Sequence, residues 1–192
     1  MMRSRYTVRI IGGRWRSRVL RFPDVAGLRP TPDRVRETLF NWLGQDLTGE
    51  NCLDLYAGSG VLGLEALSRG AESVTMIERN AAAIEALRGN INLLGAERLN
   101  LVRGDALEFL RGAHTGFDVV FVDPPYGLGL QERVLALLPP ALSQGARVYV
   151  ESDSVLELPP GWRQLKRSRA GNVHYYLLGR YSDDQGSVSG DV

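Results

Sequence analysis

From residue 51 onward, short apolar runs alternate with stretches of helical length, and this alternation restricts the chain to very few architectures. The strand candidates are Cys52–Tyr56, Val74–Ile77, Leu99–Val102, Val119–Val122 and Arg147–Val150, with helical stretches near 61–69, 80–94, 105–111 and 130–142 between them. Strands that alternate with helices of about ten residues predict right-handed βαβ units and a parallel sheet covered on both faces. The chain ends differently. Arg163–Arg169 and Val173–Arg180 are separated only by Ala170-Gly171-Asn172, which predicts a closing antiparallel hairpin. The expected fold class is therefore α/β, a Rossmann-like, mostly parallel seven-stranded sheet. Residues 182–192 are too polar to pack and are expected to form a disordered tail. A length of 192 residues suits one domain with a small appendage.

The appendage precedes the alternating region. Thr7–Ile11 and Val19–Phe22 are β-prone and flank the turn signal Gly12-Gly13, so residues 1–30 read as a β-hairpin extension, 31–181 as the main domain and 182–192 as the tail. Thr31 is expected to be an N-cap with Pro32 at the first helical position, followed by Val35, Leu39, Phe40 and Leu43 at helical spacing and Gly44 as the stop. Net charge is only +1, yet residues 1–36 hold ten arginines against Asp24 and Asp33, a net of +8 that leaves −7 for the rest. Such asymmetry marks a polyanion-binding end. The β-patterned arm argues against an amphipathic transit peptide, and no apolar run approaches the roughly 18 residues a membrane span needs. A single cysteine, Cys52, rules out an internal disulfide framework and fits a reducing cytoplasm; its place inside the first main strand suggests packing rather than nucleophilic work.

The first main strand runs into Asp54-Leu55-Tyr56-Ala57-Gly58-Ser59-Gly60-Val61-Leu62-Gly63, and Glu78 follows at the end of the second. Glycines at 58, 60 and 63 let the backbone turn tightly and approach a ligand, and an acid at the second strand tip can accept ribose hydroxyls. That pattern suits NAD and S-adenosylmethionine equally. Asp54 separates them, because a carboxylate at the first strand tip would repel a pyrophosphate but attract the methionine ammonium. Asp105, after the third strand, is placed to accept from an adenine amino group. Each acid alone could be a helix cap. Three successive strand tips bearing acids, on the edge where ligands bind in such folds, favour a site.

The fourth strand ends in Asp123-Pro124-Pro125-Tyr126. Consecutive prolines remove N–H donors and leave carbonyls free to accept. An exocyclic base amine is a poor nucleophile because its lone pair is delocalised. If Asp123 and the Pro124 carbonyl accept its two protons, the lone pair turns toward a methyl donor, and Tyr126 can stack on the base, a contact worth about 1–3 kcal/mol.

These residues carry a resemblance. Asp54 with Gly58-Ser59-Gly60 and Asp123-Pro124-Pro125-Tyr126 is similar to the S-adenosylmethionine-dependent amino-methyltransferases of DNA and RNA, which share the class I methyltransferase fold. Arg9-Ile10-Ile11-Gly12-Gly13, Leu28-Arg29-Pro30-Thr31, Asp33–Asn41 and Gly63–Gly70 more narrowly resemble the bacterial 16S rRNA guanine-N2 methyltransferases of the small-subunit methyltransferase D group, over residues 8–180. The resemblance implies transfer of one methyl group to guanine N2 of small-subunit rRNA, in a partly assembled 30S subunit, by a cytoplasmic monomer that needs no metal. It assigns Asp54, Gly58 and Gly60 to the methionine part of the cofactor, Glu78 to the ribose, and Asp105 with Ala106 to the adenine, with Tyr56 and Arg79 in the same set. Asp123, Pro124, Pro125 and Tyr126 present the base. Arg9, Arg14, Trp15, Arg16, Arg18, Arg29 and Arg34 form the RNA-binding set, in which Trp15 either stacks on RNA or packs the arm onto the body. Three alternatives stay open: a DNA amino-methyltransferase, which uses the same four residues, an NAD-dependent oxidoreductase, and a non-catalytic RNA-binding module.

Overall fold

The apolar runs become the strands of one sheet, and the stretches between them the crossover helices. A computed structural model describes residues 6–25, 28–112 and 114–181, so the expected tail lies outside the described residues. The elements are β1 (Thr7–Arg9), β2 (Val19–Arg21), α1 (Asp33–Leu43), β3 (Asn51–Asp54), α2 (Val61–Ser68), β4 (Ser73–Glu78), α3 (Ala81–Leu94), β5 (Leu99–Arg103), α4 (Ala106–Leu110), β6 (Phe117–Val122), α5 (Leu130–Leu137), β7 (Leu142–Ser152), β8 (Trp162–Ala170) and β9 (Val173–Arg180). The main sheet has seven strands in the order β5-β4-β3-β6-β7-β9-β8. β3 pairs in parallel with both β4 and β6, so the strand order reverses there, while β9 runs antiparallel between β7 and β8.

Alternation along the central strands sends side chains to two cores. Cys52, Val119, Phe121 and Tyr149 pack with α1, α2, α3 and the β1–β2 hairpin. Leu53, Leu55, Val120, Val122, Val148 and Val150 pack with α4 and α5 on the other face. α2 is buried along its whole length, as its nearly uniform apolar sequence requires. Burial also drives the Cys52 thiol pKa upward, which leaves it inert packing. Edge strand β8 exposes Arg163, Lys166, Arg167 and Arg169, charges that discourage edge-to-edge pairing.

Two expectations need correction. The helix expected over 130–142 stops at Leu137, because Pro139 and Pro140 lack the N–H groups a continuing helix needs and form a 3-10 turn instead. β7 then begins at Leu142 and runs eleven residues, to Ser152. Pro32, not Thr31, occupies the cap position of α1, and its carbonyl accepts from Val35 and Arg36.

The hairpin shares the main core through Val8, Ile10, Trp15, Leu20 and Phe22. Polar tethers lock it in place. Glu65 on α2 is fully buried and accepts from the Ile11 amide at 2.8 Å, from Arg36 Nη1 at 3.2 Å and from Arg69 Nε at 2.9 Å. Arg36, also fully buried, donates to the carbonyls of Thr31 and Arg9 and to Asp33. Ser68 accepts from the Trp15 amide and donates to the Gly12 carbonyl. Asn90 on α3 donates to the Arg21 carbonyl and accepts from its amide, taking the place of a third strand. Arg36, read from sequence as one of the basic arm's charges, is thus an internal counter-ion. Replacing Glu65 with Ala would strip the buried Arg69 guanidinium of its ion-pair partner and leave the buried Arg36 only the exposed Asp33. It is expected to cost about 3–5 kcal/mol and to lower Tm by roughly 6–20 °C, measured by calorimetry; a shift below about 2 °C would exclude the tether as a structural determinant.

Candidate active site

The strand tips at the point where the order reverses gather the candidate residues. Gly60, with φ of +76°, starts α2 in the left-handed region, and a Cβ there would sit 2.3 Å from Leu87. The turn allows Gly63 to approach Asp54. Asp54 Oδ2 accepts from the Gly63 amide at 3.2 Å, and a Cβ on Gly63 would meet Met76 at 2.4 Å. Asp54 is buried and among the described residues makes no ion pair. Burial, opposed by the amides of Gly63 and Tyr56 and reinforced by Glu78, raises its pKa to about 7.

The other two acids also brace the backbone. Glu78 accepts from the Gly58 amide at 2.9 Å and from the Asn80 amide at 2.7 Å, fastening the glycine loop to the end of β4. Asp105 is the N-cap of α4, with Oδ1 accepting from Leu107 and Glu108. The capping role and the ligand role are compatible, because Asp105 Oδ2 takes no part in the cap. Tyr56 lies partly buried near Asp105, its pKa pushed up to about 12 mainly by burial. Ala106 is buried and Arg79 is exposed. The set fits a cation-bearing nucleoside: a buried, uncompensated carboxylate, a backbone turn without side chains, and acids at two further strand tips.

Asp54 pairs with Phe121 across β3 and β6, so Asp123, two residues further on, emerges beside it. Pro124 is buried, whereas Pro125 and Tyr126 are exposed. The Asp123 carboxyl is pushed well above the ordinary carboxylate range by burial first, then by the charges of Glu151 and Asp54, while the Thr31 hydroxyl draws it down. Burial and the neighbouring acids also raise the Tyr126 phenol. Sequence reasoning missed two residues here. Thr31, read as a helix cap, is instead buried ahead of α1, where its hydroxyl draws down the proton affinity of Asp123 and Glu151. Glu151, buried near the end of β7, lay beyond the expected strand; the signal available was an acid one residue past a valine-rich run, as at Asp123.

The proposed RNA-binding arginines divide from Trp15. Arg9, Arg14, Arg16, Arg18, Arg29 and Arg34 are exposed, and among the described residues none has an ion-pair partner. Trp15 is 8% exposed within the core, with the Arg14 guanidinium 4.0 Å above its ring, so it packs the arm onto the body.

The family described as conserved hypothetical protein 95 matches residues 8–179. Ribosomal RNA small subunit methyltransferase D of Escherichia coli is 44% identical over 189 residues, covering 96% of this chain and 94% of that protein. The Haemophilus influenzae protein of the same name is 43% identical over 178 residues, covering 88% and 92%. The solved structure of the Escherichia coli protein yhhF superposes with a TM-score of 0.84 at 45% identity, covering 92% of this chain and 99% of that one. The seven-stranded sheet with its antiparallel closing hairpin is that of class I methyltransferases, and the chain belongs to the ribosomal RNA small subunit methyltransferase D family.

Proposed function

We propose that this protein transfers one methyl group from S-adenosylmethionine to the exocyclic N2 of a guanine in small-subunit rRNA. Membership of a family whose relatives are named for small-subunit rRNA supports an rRNA methyltransferase. The observation that carries the chemistry is the placement of the buried Asp54 and the half-buried Asp123 at the ends of adjacent parallel strands at the reversal point, each free of a counter-ion among the described residues. When bound, S-adenosylmethionine supplies an electrophilic methyl group on a sulfonium. Asp54 holds the methionine ammonium, Gly58 and Gly60 give it room, Glu78 takes the ribose and Asp105 with Ala106 the adenine; Tyr56 and Arg79 border the nucleoside.

On the other side of the methyl group, the Asp123 carboxylate and the Pro124 carbonyl accept the two N2 protons. This aims the N2 lone pair at the incoming carbon. Pro125 stiffens the turn and the exposed Tyr126 stacks on the unstacked base. No covalent enzyme intermediate is needed, because orientation supplies much of the rate. The exposed arginines of the hairpin, with Arg29 and Arg34, hold the RNA backbone through phosphate contacts. A reducing cytoplasm and a partly assembled 30S subunit complete the reading.

Three outcomes test it. Replacing Asp123 with Ala should lower methyl transfer to 30S subunits by at least about 10²-fold while S-adenosylhomocysteine affinity changes only a few fold; mass spectrometry of the product nucleosides should show N2-methylguanosine. Methylated adenine or cytosine in DNA would point instead to the DNA enzymes. Because Asp54 titrates near 7 and only its charged form attracts the ligand's ammonium, calorimetry should show S-adenosylhomocysteine binding weaken about tenfold from pH 8 to pH 6. Asp54→Asn should abolish that dependence. Removing residues 1–22 would strip the core of Val8, Ile10, Trp15 and Leu20, so the arm is better tested at its surface. Arg14, Arg16 and Arg18 changed together to Ala should reduce the salt slope of RNA binding by about 2–3, and an unchanged slope would remove the arm from the RNA interface.

A further inference from the structure

The Asp-Pro-Pro-Tyr segment accounts for one carboxyl at the end of β6, but a second carboxyl stands beside it. Val122 of β6 pairs with Val150 of β7, so Asp123 leaves its strand level with Glu151 on the neighbouring one. Glu151 is 2% exposed and among the described residues has no cationic partner. Its surroundings are hydroxyls. Tyr149 Oη donates to Glu151 Oε1 at 2.8 Å, and the hydroxyls of Thr31 and Tyr126 favour its ionised form, Thr31 acting on Asp123 in the same sense. Gln131 Nε2 donates to the Glu151 carbonyl at 3.0 Å and fixes the strand end. A buried and a half-buried carboxyl side by side without a cation repel each other, and burying Glu151 merely for packing would be costly.

We propose that Glu151 is a positioning residue for methyl transfer: standing level with Asp123 at the end of the neighbouring strand, it acts on the carboxyl that takes the proton guanine N2 releases. The inference rests on the guanine-N2 reading above. As the N2 lone pair forms its bond to the methyl carbon, the carbon–sulfur bond breaks and its electron pair stays on sulfur as a neutral thioether. N2 then loses one proton to the Asp123 carboxylate, which becomes a neutral acid. The cationic donor, neutral guanine and anionic Asp123 thus give three neutral products. A more basic carboxylate takes this proton with a larger driving force. The groups facing Asp123 are Asp54 from β3, Glu151 from β7, Tyr126 from its own loop and the Thr31 hydroxyl ahead of α1, and both acids raise its proton affinity while Thr31 lowers it.

The two neighbours therefore predict shifts of opposite sign. In the ligand-free protein, carboxyl ¹³C NMR titration, assigned by the loss of one resonance in Asp123→Asn, should place Asp123 above the usual carboxylate range. Glu151→Gln removes the adjacent charge and should move that midpoint down by about one pH unit or more. Thr31→Val removes a hydrogen bond to the ionised form and should move it up. The acid limb of kcat on 30S subunits should follow in the same directions, with KM for S-adenosylmethionine changed less than about threefold, and Glu151→Asp should restore the wild-type limb. If Glu151→Gln fails to fold, the upward shift in Thr31→Val still decides. An Asp123 midpoint unmoved in the folded variants would overturn the proposal. Normal shifts with a product other than N2-methylguanosine would instead leave the carboxyl pair standing and reject guanine N2 as the target.

Discussion

Glu65 is the contact on which the arrangement of the N-terminal half depends. One carboxylate inside α2 receives the Ile11 amide, Arg36 from α1 and Arg69 from its own helix. A hairpin, a helix and the first crossover of the sheet are thereby held to a single point. Burying three charges together gains little net stability over an apolar packing of the same volume. Its value is geometric. An apolar contact between α1 and α2 would tolerate sliding, whereas a carboxylate that must satisfy two guanidiniums and an amide admits one register. Through Arg36 that register reaches the Thr31 carbonyl at 3.1 Å, so the same cluster that docks the hairpin sets the residue facing Asp123 and Glu151.

The opposite chemistry governs the carboxyl edge of the sheet. Asp54, Glu78, Asp105, Asp123 and Glu151 stand at or near the ends of five successive elements of the parallel sheet, and among the described residues none is paired with a cation. For Asp54, Asp123 and Glu151 the outcome is raised proton affinity, with burial the leading cause. Acids spread along one edge destabilise the fold, since burying and crowding charge both disfavour ionisation. A positively charged ligand compensates this only when bound, which is why such a cluster suits a site and not a scaffold. The hairpin shows the converse, with Arg9, Arg14, Arg16, Arg18 and Arg21 exposed to solvent and, among the described residues, without ion-pair partners.

Local chemistry was readable from the chain, and long-range pairing was not. The order of strands and helices, the glycine turn and the acids at 54, 78, 105 and 123 follow from period and position, because each depends on a few neighbouring residues. Thr31 was misread because Thr followed by Pro is a good helix start by itself, and nothing local indicates carboxyls more than ninety residues away. Arg36 looked like surface charge for the same reason: its partner Glu65 lies 29 residues on. The end of β7 was cut short because Glu151 and Ser152 interrupt an apolar run, although the pairing of Ser152 with His174 on β9 keeps the strand intact. Trp15 stood between two arginines and offered no sequence cue to its direction; the Ser68 hydroxyl that takes its amide decides that it turns inward.

The segment from Leu28 to Thr31 joins these parts. Leu28 lies 3.7 Å from where a side chain on Gly58 would begin, so it covers the glycine turn. Thr31, three residues on, is buried and draws down the proton affinity of the Asp123 and Glu151 carboxyls. Arg29 projects between them into solvent, and Arg36 anchors the end of the segment to Glu65. Four residues therefore border the glycine turn, the exposed surface at Arg29, and the Asp123 and Glu151 carboxyls in sequence. A backbone contact at Arg29 is separated from Thr31 by Pro30 alone, whose fixed φ leaves little slack for the displacement to be absorbed. A displacement at that arginine reaches Thr31 through one stiff residue, so the exposed surface there and the Asp123 and Glu151 carboxyls are mechanically adjacent in this fold.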